Sequence, residues 1–445
     1  MITKQKSRLG AVMAGLCSLA AANSTLAVDN PFTGNAKGKD PVPTGNCAEL
    51  PADRATEFHG NPYSSELNLA MAGNQWVVFN KVMQGFNERR VANGETDVVT
   101  DGLVNKSRTL EELRTPGNNY FIELIPPGQE RNQIKSGCML LGNDEGERNF
   151  LAFSIQTHFD VFTSTNFNLM RDLAASGYVK EAIPYIRNQL TLMTDATNSA
   201  GIGAPAGTPG GTDIIDAALD LLDPGIRVSQ VDHINEGIHR GINAMYQRMD
   251  EYTRLNGTPA DEAALDALLL AVSDPQPGSP AETRTIEEGI TTNFNLATNP
   301  ACHYSGHATI PDGTLRLCEF AVLNKANTHE TRVHHVETPE RILAGDSDVG
   351  PVWVSELKFA QDAGDAVSGS TMPDAVNVPV VYSVAFLATQ SNKHRKLAEE
   401  FVEFLLGDAA QIYVDGGFLP LVGDELAERY SLAKDGSLVI ETFTP

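Results

Sequence analysis

"NKHRKLAEEFVEFLLGDAAQIYVDGGFLPL", residues 392–421, reads as an amphipathic helix, a break at Gly407, a short second helix and a Gly-Gly turn into a Phe-Leu-Pro end. Just ahead of it, "VPVVYSVAFLAT" (378–389) has the β-branched and aromatic content of a strand. The same alternation recurs upstream. "ELNLAMAG" (66–73) precedes "NQWVVFNKVMQGFNE" (74–88), whose Trp76, Val77, Phe79, Val82, Met83 and Phe86 fit one helix face. "FDVFTST" (159–165) precedes "NFNLMRDLAASG", and "GIRVSQV" (225–231) precedes "NEGIHRGINAMYQRMDEY". "SDVGPVW" (347–353) precedes "VSELKFAQDAG". Alternation of strand and helix predicts an α/β fold with a mostly parallel sheet covered on both faces.

Bulk properties narrow the function. The chain has 445 residues, long enough for two or three domains. Its formal net charge of −24 argues against nucleic-acid binding, because a phosphate backbone needs a basic surface. Residues 1–27 read as an export signal: Lys4, Lys6 and Arg8 form a basic start, "LGAVMAGLCSLAA" an apolar core, and "STLA" ends at Ala27 with small residues. The apolar run is shorter than the ~20 residues of a spanning helix. Once the signal leaves, Cys47, Cys138, Cys302 and Cys318 remain, and four cysteines allow three disulfide pairings. Sequence proximity favours Cys302 with Cys318, which leaves Cys47 with Cys138.

Residues 28–62 are rich in Pro, Gly and Asn and read as an extended arm. "GIGAPAGTPGGTD" (201–213) reads as a flexible surface loop. Residues 256–313 begin with a helical "DEAALDALLLAVSD" and continue as a Pro-, Gly- and Asn-rich insertion in the second half of the fold. His334 and His335 are adjacent and so face opposite sides of the backbone. His303 and His307 have helical spacing, but Gly306 and Cys302 point to a disulfide loop; no specific metal site is expected. No GxSxG, HExxH or GxxxxGK[ST] motif occurs, so the chain is not expected to be an enzyme.

Four stretches in order resemble the type II periplasmic substrate-binding proteins, and within them the molybdate and other oxyanion receptors of ABC importers. They are "FDVFTSTNFNLMRDLAASGYV" (159–179), "IRNQLTLMT" (186–194), "RVHHVETPERILAGDSDVGPVWVSEL" (332–357) and residues 392–421, within a resemblance spanning about 64–421. The resemblance implies a two-lobed type II fold, with mixed sheets flanked by helices. Lobe 1 would comprise 63–187 plus 389–445 and lobe 2 188–377. Crossover strands would lie near 187–194 and 378–388. It also implies a small-molecule ligand, an inner-membrane ABC permease as partner, a periplasmic location and no cofactor.

The ligand-binding residues the resemblance implies come from loops at strand ends, where open α/β sheets bind ligands and helix N-termini attract anions. Lobe 1 would contribute Gly73, Asn74 and Gln75, then Gly128 and Gln129, then Ser164 and Thr165. Lobe 2 would contribute Glu236 and Gly237 at a helix start, and Gly350 and Val352 on the opposite wall. The family often places serine or threonine in the first two loops, and this chain carries amides and glycine there. The expected ligand is a molybdate- or tungstate-like oxyanion. A different ligand (an organic acid or a metal complex) and a non-transport interaction role remain open alternatives.

Overall fold

Leu67–Ala72 and Tyr120–Ile125, apolar but for Asn68 and Glu123, are buried at all six positions, which requires a sheet covered on both faces. The computed structural model describes residues 53–54, 58–59, 65–95, 120–142, 153–156, 159–230, 238–273, 328–330, 337–377, 379–388, 392–422, 428–432 and 438–442. Nine strands carry the two principal sheets. They are β1 (Leu67–Ala72), β2 (Tyr120–Ile125), β3 (Val161–Ser164), β4 (Glu181–Asn188) and β5 (Leu190–Asp195). Then follow β6 (Val228–Gln230), β7 (Val349–Trp353), β8 (Val367–Ser370) and β9 (Val380–Phe386).

The larger sheet has eight strands and runs β4-β9-β3-β1-β2 through its middle. Glu428–Leu432 and Leu438–Thr442 extend one side, and Phe58–His59 closes the other. The second sheet has five strands: Thr328–Glu330, then β6-β7-β5-β8. The chain passes from the first sheet to the second at Gln189, between β4 and β5, and returns between β8 and β9. These two passages shape the topology. The alternating pattern predicts mostly parallel pairing, yet in the two principal sheets parallel pairing is confined to β2-β1-β3 and to β6 with its two neighbours. The crossing strands β4, β5, β8 and β9 enter antiparallel pairs, so both sheets are mixed.

Helices cover both faces of each sheet. On the first sheet α1 (Trp76–Ala92) buries Val77, Phe79, Val82, Met83 and Phe86, the predicted face apart from its first residue. Gly85 lets this helix approach closely: a Cβ there would lie 3.0 Å from both Phe404 and Ile412 side-chain atoms. The other face of that sheet carries α2 (Pro127–Ser136) and α3 (Phe167–Ala175). On the second sheet α4 (Ile214–Leu222), α5 (Ile238–Asn256) and α6 (Pro259–Ser273) enclose Leu190, Leu192, Tyr246 and Leu265. Across that sheet, Met193, Ile342, Val352 and Leu357 form a smaller core with α7 (Glu337–Leu343) and α8 (Val354–Ala363). The opening segment forms α9 (Asn392–Leu406) and α10 (Ala409–Asp415), and both return to the first sheet beside α1. Among the described residues no helix is long and apolar enough to cross a membrane.

Two expectations change. The 201–213 loop is pinned rather than flexible. Asn198, in the left-handed region at φ 50°, accepts from the Ile202 N–H at 2.9 Å and donates to the Ile202 and Thr208 carbonyls. Phe58–His59, inside the stretch read as an extended arm, pairs with β2 as an edge strand. The segments 1–27, 231–237 and 274–313, with His303, His307, His334 and His335, lie outside the described residues. So do Cys47, Cys302, Cys318 and the side chain of Cys138, hence both expected disulfides.

Candidate functional site

Three parallel strands end together. Ala72 of β1 pairs with Ile125 of β2, and the β1–β3 register brings Ser164 level with Ala72. Each strand leads directly into a helix: the turn Gly73–Gln75 into α1, Pro126 into α2, and Thr165-Asn166 into α3. Three helix N-termini therefore gather along one edge of the sheet, each with backbone N–H groups that lack intrahelical acceptors. No Lys, Arg or His stands in the segments 73–75, 126–129 or 164–166. Arg131 and Lys135, further along α2, are both paired to Asp172.

The structure brings the lobe 1 residues to one edge, and their side chains differ in commitment. Gly73 passes close to the end of β2, where a Cβ would lie 3.2 Å from the Ile125 carbonyl carbon. Asn74 donates to the Tyr382 hydroxyl. Gln75 is fully buried: its carbonyl accepts from Tyr185 at 2.7 Å and Tyr413 at 2.6 Å, and its amide donates to Thr163 at 2.8 Å. Burial pushes all three tyrosines well above the usual phenol range, so they remain neutral donors. The Ser164 hydroxyl is held locally, accepting from the Asn166 N–H at 2.9 Å. Asn166 caps α3 by accepting from the Asn168 N–H.

Three positions stay available. Thr165 is half-buried, and its hydroxyl has no hydrogen-bond partner among the described residues. Gly128 and Gln129 lie in the first turn of α2; the Gln129 N–H donates to the Pro126 carbonyl at 2.8 Å, which leaves the Gly128 N–H and the Gln129 side chain, and the space beyond Gly128 is open.

The second sheet is arranged differently. Gly350 lies beneath α7, where a Cβ would meet Thr338 at 2.4 Å, and the Val352 side chain is in a hydrophobic core. The β7 alternation thus turns Gly350 and the Val352 side chain toward α7 and α8, which leaves their backbone as what they could offer a ligand. Glu236 and Gly237 lie outside the described residues. Sequence reasoning missed Gln230, the last residue of β6. It is buried, and its amide nitrogen has no hydrogen-bond partner among the described residues. The signal was its place at the end of "GIRVSQV", directly before a loop.

Contacts of α8 with the first sheet and its helix α1 join the two halves. Asn188 donates to the Ser355 hydroxyl at 2.9 Å, and the Trp76 and Phe359 rings meet edge to face at 4.6 Å. The model for the family described as bacterial extracellular solute-binding protein matches residues 145–419, more than half of the chain. The chain belongs to that family. Among solved structures, this solute-binding protein is similar to the Azotobacter vinelandii periplasmic molybdate-binding protein. That match has 13% identity and a TM-score of 0.40 over 80% of this chain and all (100%) of the other. Similarity to the sulfate-binding protein SubI of Mycobacterium tuberculosis H37Rv is 16% identity and TM-score 0.41, covering 82% and 89%. Iron-bound HitA of Pseudomonas aeruginosa gives 13% and 0.39, covering 80% and 85%. No curated protein matches the solute-binding protein's sequence.

Proposed function

We propose that this solute-binding protein is the periplasmic receptor of an ABC importer, and that it takes a small molybdate- or tungstate-like oxyanion between its two lobes. The observation that carries the reading is the edge where β1, β2 and β3 end together against three helix N-termini, with no cationic side chain in the joining segments. Backbone N–H groups and the Thr165 hydroxyl suit an anion that is stripped of water and bound by neutral donors. On this reading Gly73, Gly128, Gln129 and Thr165 meet the ligand, Asn74, Gln75 and Ser164 shape the wall behind them, and Gln230 approaches from the second lobe. Glu236, Gly237, Gly350 and Val352 would contribute through the backbone. Closure of the lobes buries the ligand, and the closed form is what the permease recognises.

Titration calorimetry with molybdate, tungstate, sulfate, phosphate and a panel of divalent metals tests the ligand class. Heat with molybdate or tungstate is expected, and silence with every oxyanion ends the proposal. A second reading, an organic anion at the same edge, is favoured by the commitment of Gln75 and Ser164 to internal bonds, which leaves fewer donors for a compact ion. Native mass spectrometry of the purified protein separates the two by the mass of any retained molecule.

A further inference from the structure

Away from the joined strand ends, a cavity of about 190 Å³ opens where α5 meets both passages of the chain. Its apolar walls include Leu190 at the start of β5, Met245 on α5, Trp353 at the end of β7, and Val376 and Val380 on the return passage. Gly241 on α5 helps to keep it open: a Cβ there would touch only Leu190, at 3.5 Å. The polar groups of the lining are unequal. The Asn377 side chain is bound to the Leu190 backbone, accepting from its N–H at 3.2 Å and donating to its carbonyl at 2.6 Å. Arg248, by contrast, is half-buried and makes no hydrogen bond or ion pair among the described residues.

A guanidinium with no partner among the described residues, beside an apolar bowl, asks for a carboxylate joined to an apolar body. A planar fork matches a carboxylate with two parallel hydrogen bonds. The walls favour removing hydrocarbon from water. At ~30 Å³ per water, the volume equals about six waters, room for a small ring or a short branched chain. A mineral oxyanion would meet hydrocarbon on most sides.

We propose that this cavity is a second binding site, for a small aromatic or branched-chain monocarboxylate, with the carboxylate on Arg248 and the apolar body against Trp353. An occupant touches both passages between the sheets, so it bears on their relative movement.

The test uses the whole protein carrying Trp76→Phe, which leaves Trp353 as the single indole. Benzoate is titrated against its fluorescence, with benzamide and benzylamine as neutral and cationic counterparts. Saturable quenching by benzoate is expected, with both counterparts at least tenfold weaker. Arg248→Gln should weaken benzoate binding at least tenfold with an unchanged melting temperature, and Gly241→Phe should abolish it by filling the cavity. Equal binding of benzamide, equal binding by Arg248→Gln, or no saturation by about 10 mM benzoate would overturn the site.

Discussion

At the scale of single residues, Gln75 shows how far a side chain's role depends on partners that sequence keeps apart. As an amide at a strand end it reads as a ligand donor. In the folded protein it joins Thr163, Tyr185 and Tyr413, which stand 88, 110 and 338 positions away. Those separations hid the network. Gln75→Met preserves shape and removes every one of these bonds, so about 2–4 kcal/mol of stability should be lost. The loss should appear as a lower urea midpoint with an unchanged slope. Thr165→Val, with no internal partner to lose, should change stability by less than about 0.5 kcal/mol. It should weaken oxyanion binding about tenfold in calorimetry. Asp220 carries a pH dependence. Burial, reinforced by Asp216, Asp223 and Asp213 and opposed by the Gly203 N–H, raises its carboxyl from 3.8 to about 6. The folded state thus binds this proton more tightly than the unfolded chain. The penalty is complete above pH 6, shrinks as pH falls through 6, and is gone below 3.8. Asp220→Asn should therefore stabilise the protein at pH 7.5 by on the order of 1 kcal/mol, given solvent screening at this partly exposed site. The gain should fade toward pH 4 in thermal melts.

Elements were legible where periodicity was strong. The helix face of α1 and the break between α9 and α10 follow from spacing and glycine, and Gly407 and the Gly416-Gly417 turn stand where the sequence puts them. The hairpin of Glu428–Leu432 and Leu438–Thr442 went unread although the sequence between its strands carries Asp435-Gly436, a pair that favours a tight turn. The two faces of β7 were harder to read. Strand alternation separates Gly350 and Val352 from Val349 and Trp353, but only the packing of α7 and α8 on one side and α4–α6 on the other says that both faces are interior. One contact between elements has a functional prediction. Trp76 begins α1, and Phe359 lies on α8 above the other sheet, so their edge-to-face contact exists only while the halves are together. Such a pair contributes about 0.5–1.5 kcal/mol. Phe359→Ala should raise the ligand Kd by roughly two- to tenfold through a weaker closed state, with melting temperature nearly unchanged.

For the whole molecule, the α/β class was readable from repeated strand–helix pairs, whereas the division into two helix-covered sheets came from the resemblance to type II binding proteins. The mixed direction of pairing was not, because local pattern cannot say which strands will cross and return. The two tryptophans provide a reporter for the assembled protein. Trp76 touches Phe359, and Trp353 ends β7 beside the crossing at Gln189. Binding that closes the lobes should shift their emission with the same midpoint as the calorimetric titration. Two different midpoints would mean that binding and closure are separate events.

The placement of β9 also governs when this protein can fold. Residues 380–386 wedge between β3 and β4, so the centre of the larger sheet is completed only after the whole of the second sheet has left synthesis. Until then β3 and β4 have no strand to join them, and the closure they await spans 192 positions (Asn188 to Val380) to 225 (Val161 to Phe386), a slow kind of contact to form. A fragment of residues 28–375 should accordingly show no cooperative melting by circular dichroism. A chain that still lacks residues 380–386 should also be cut by proteases at sites the finished protein protects.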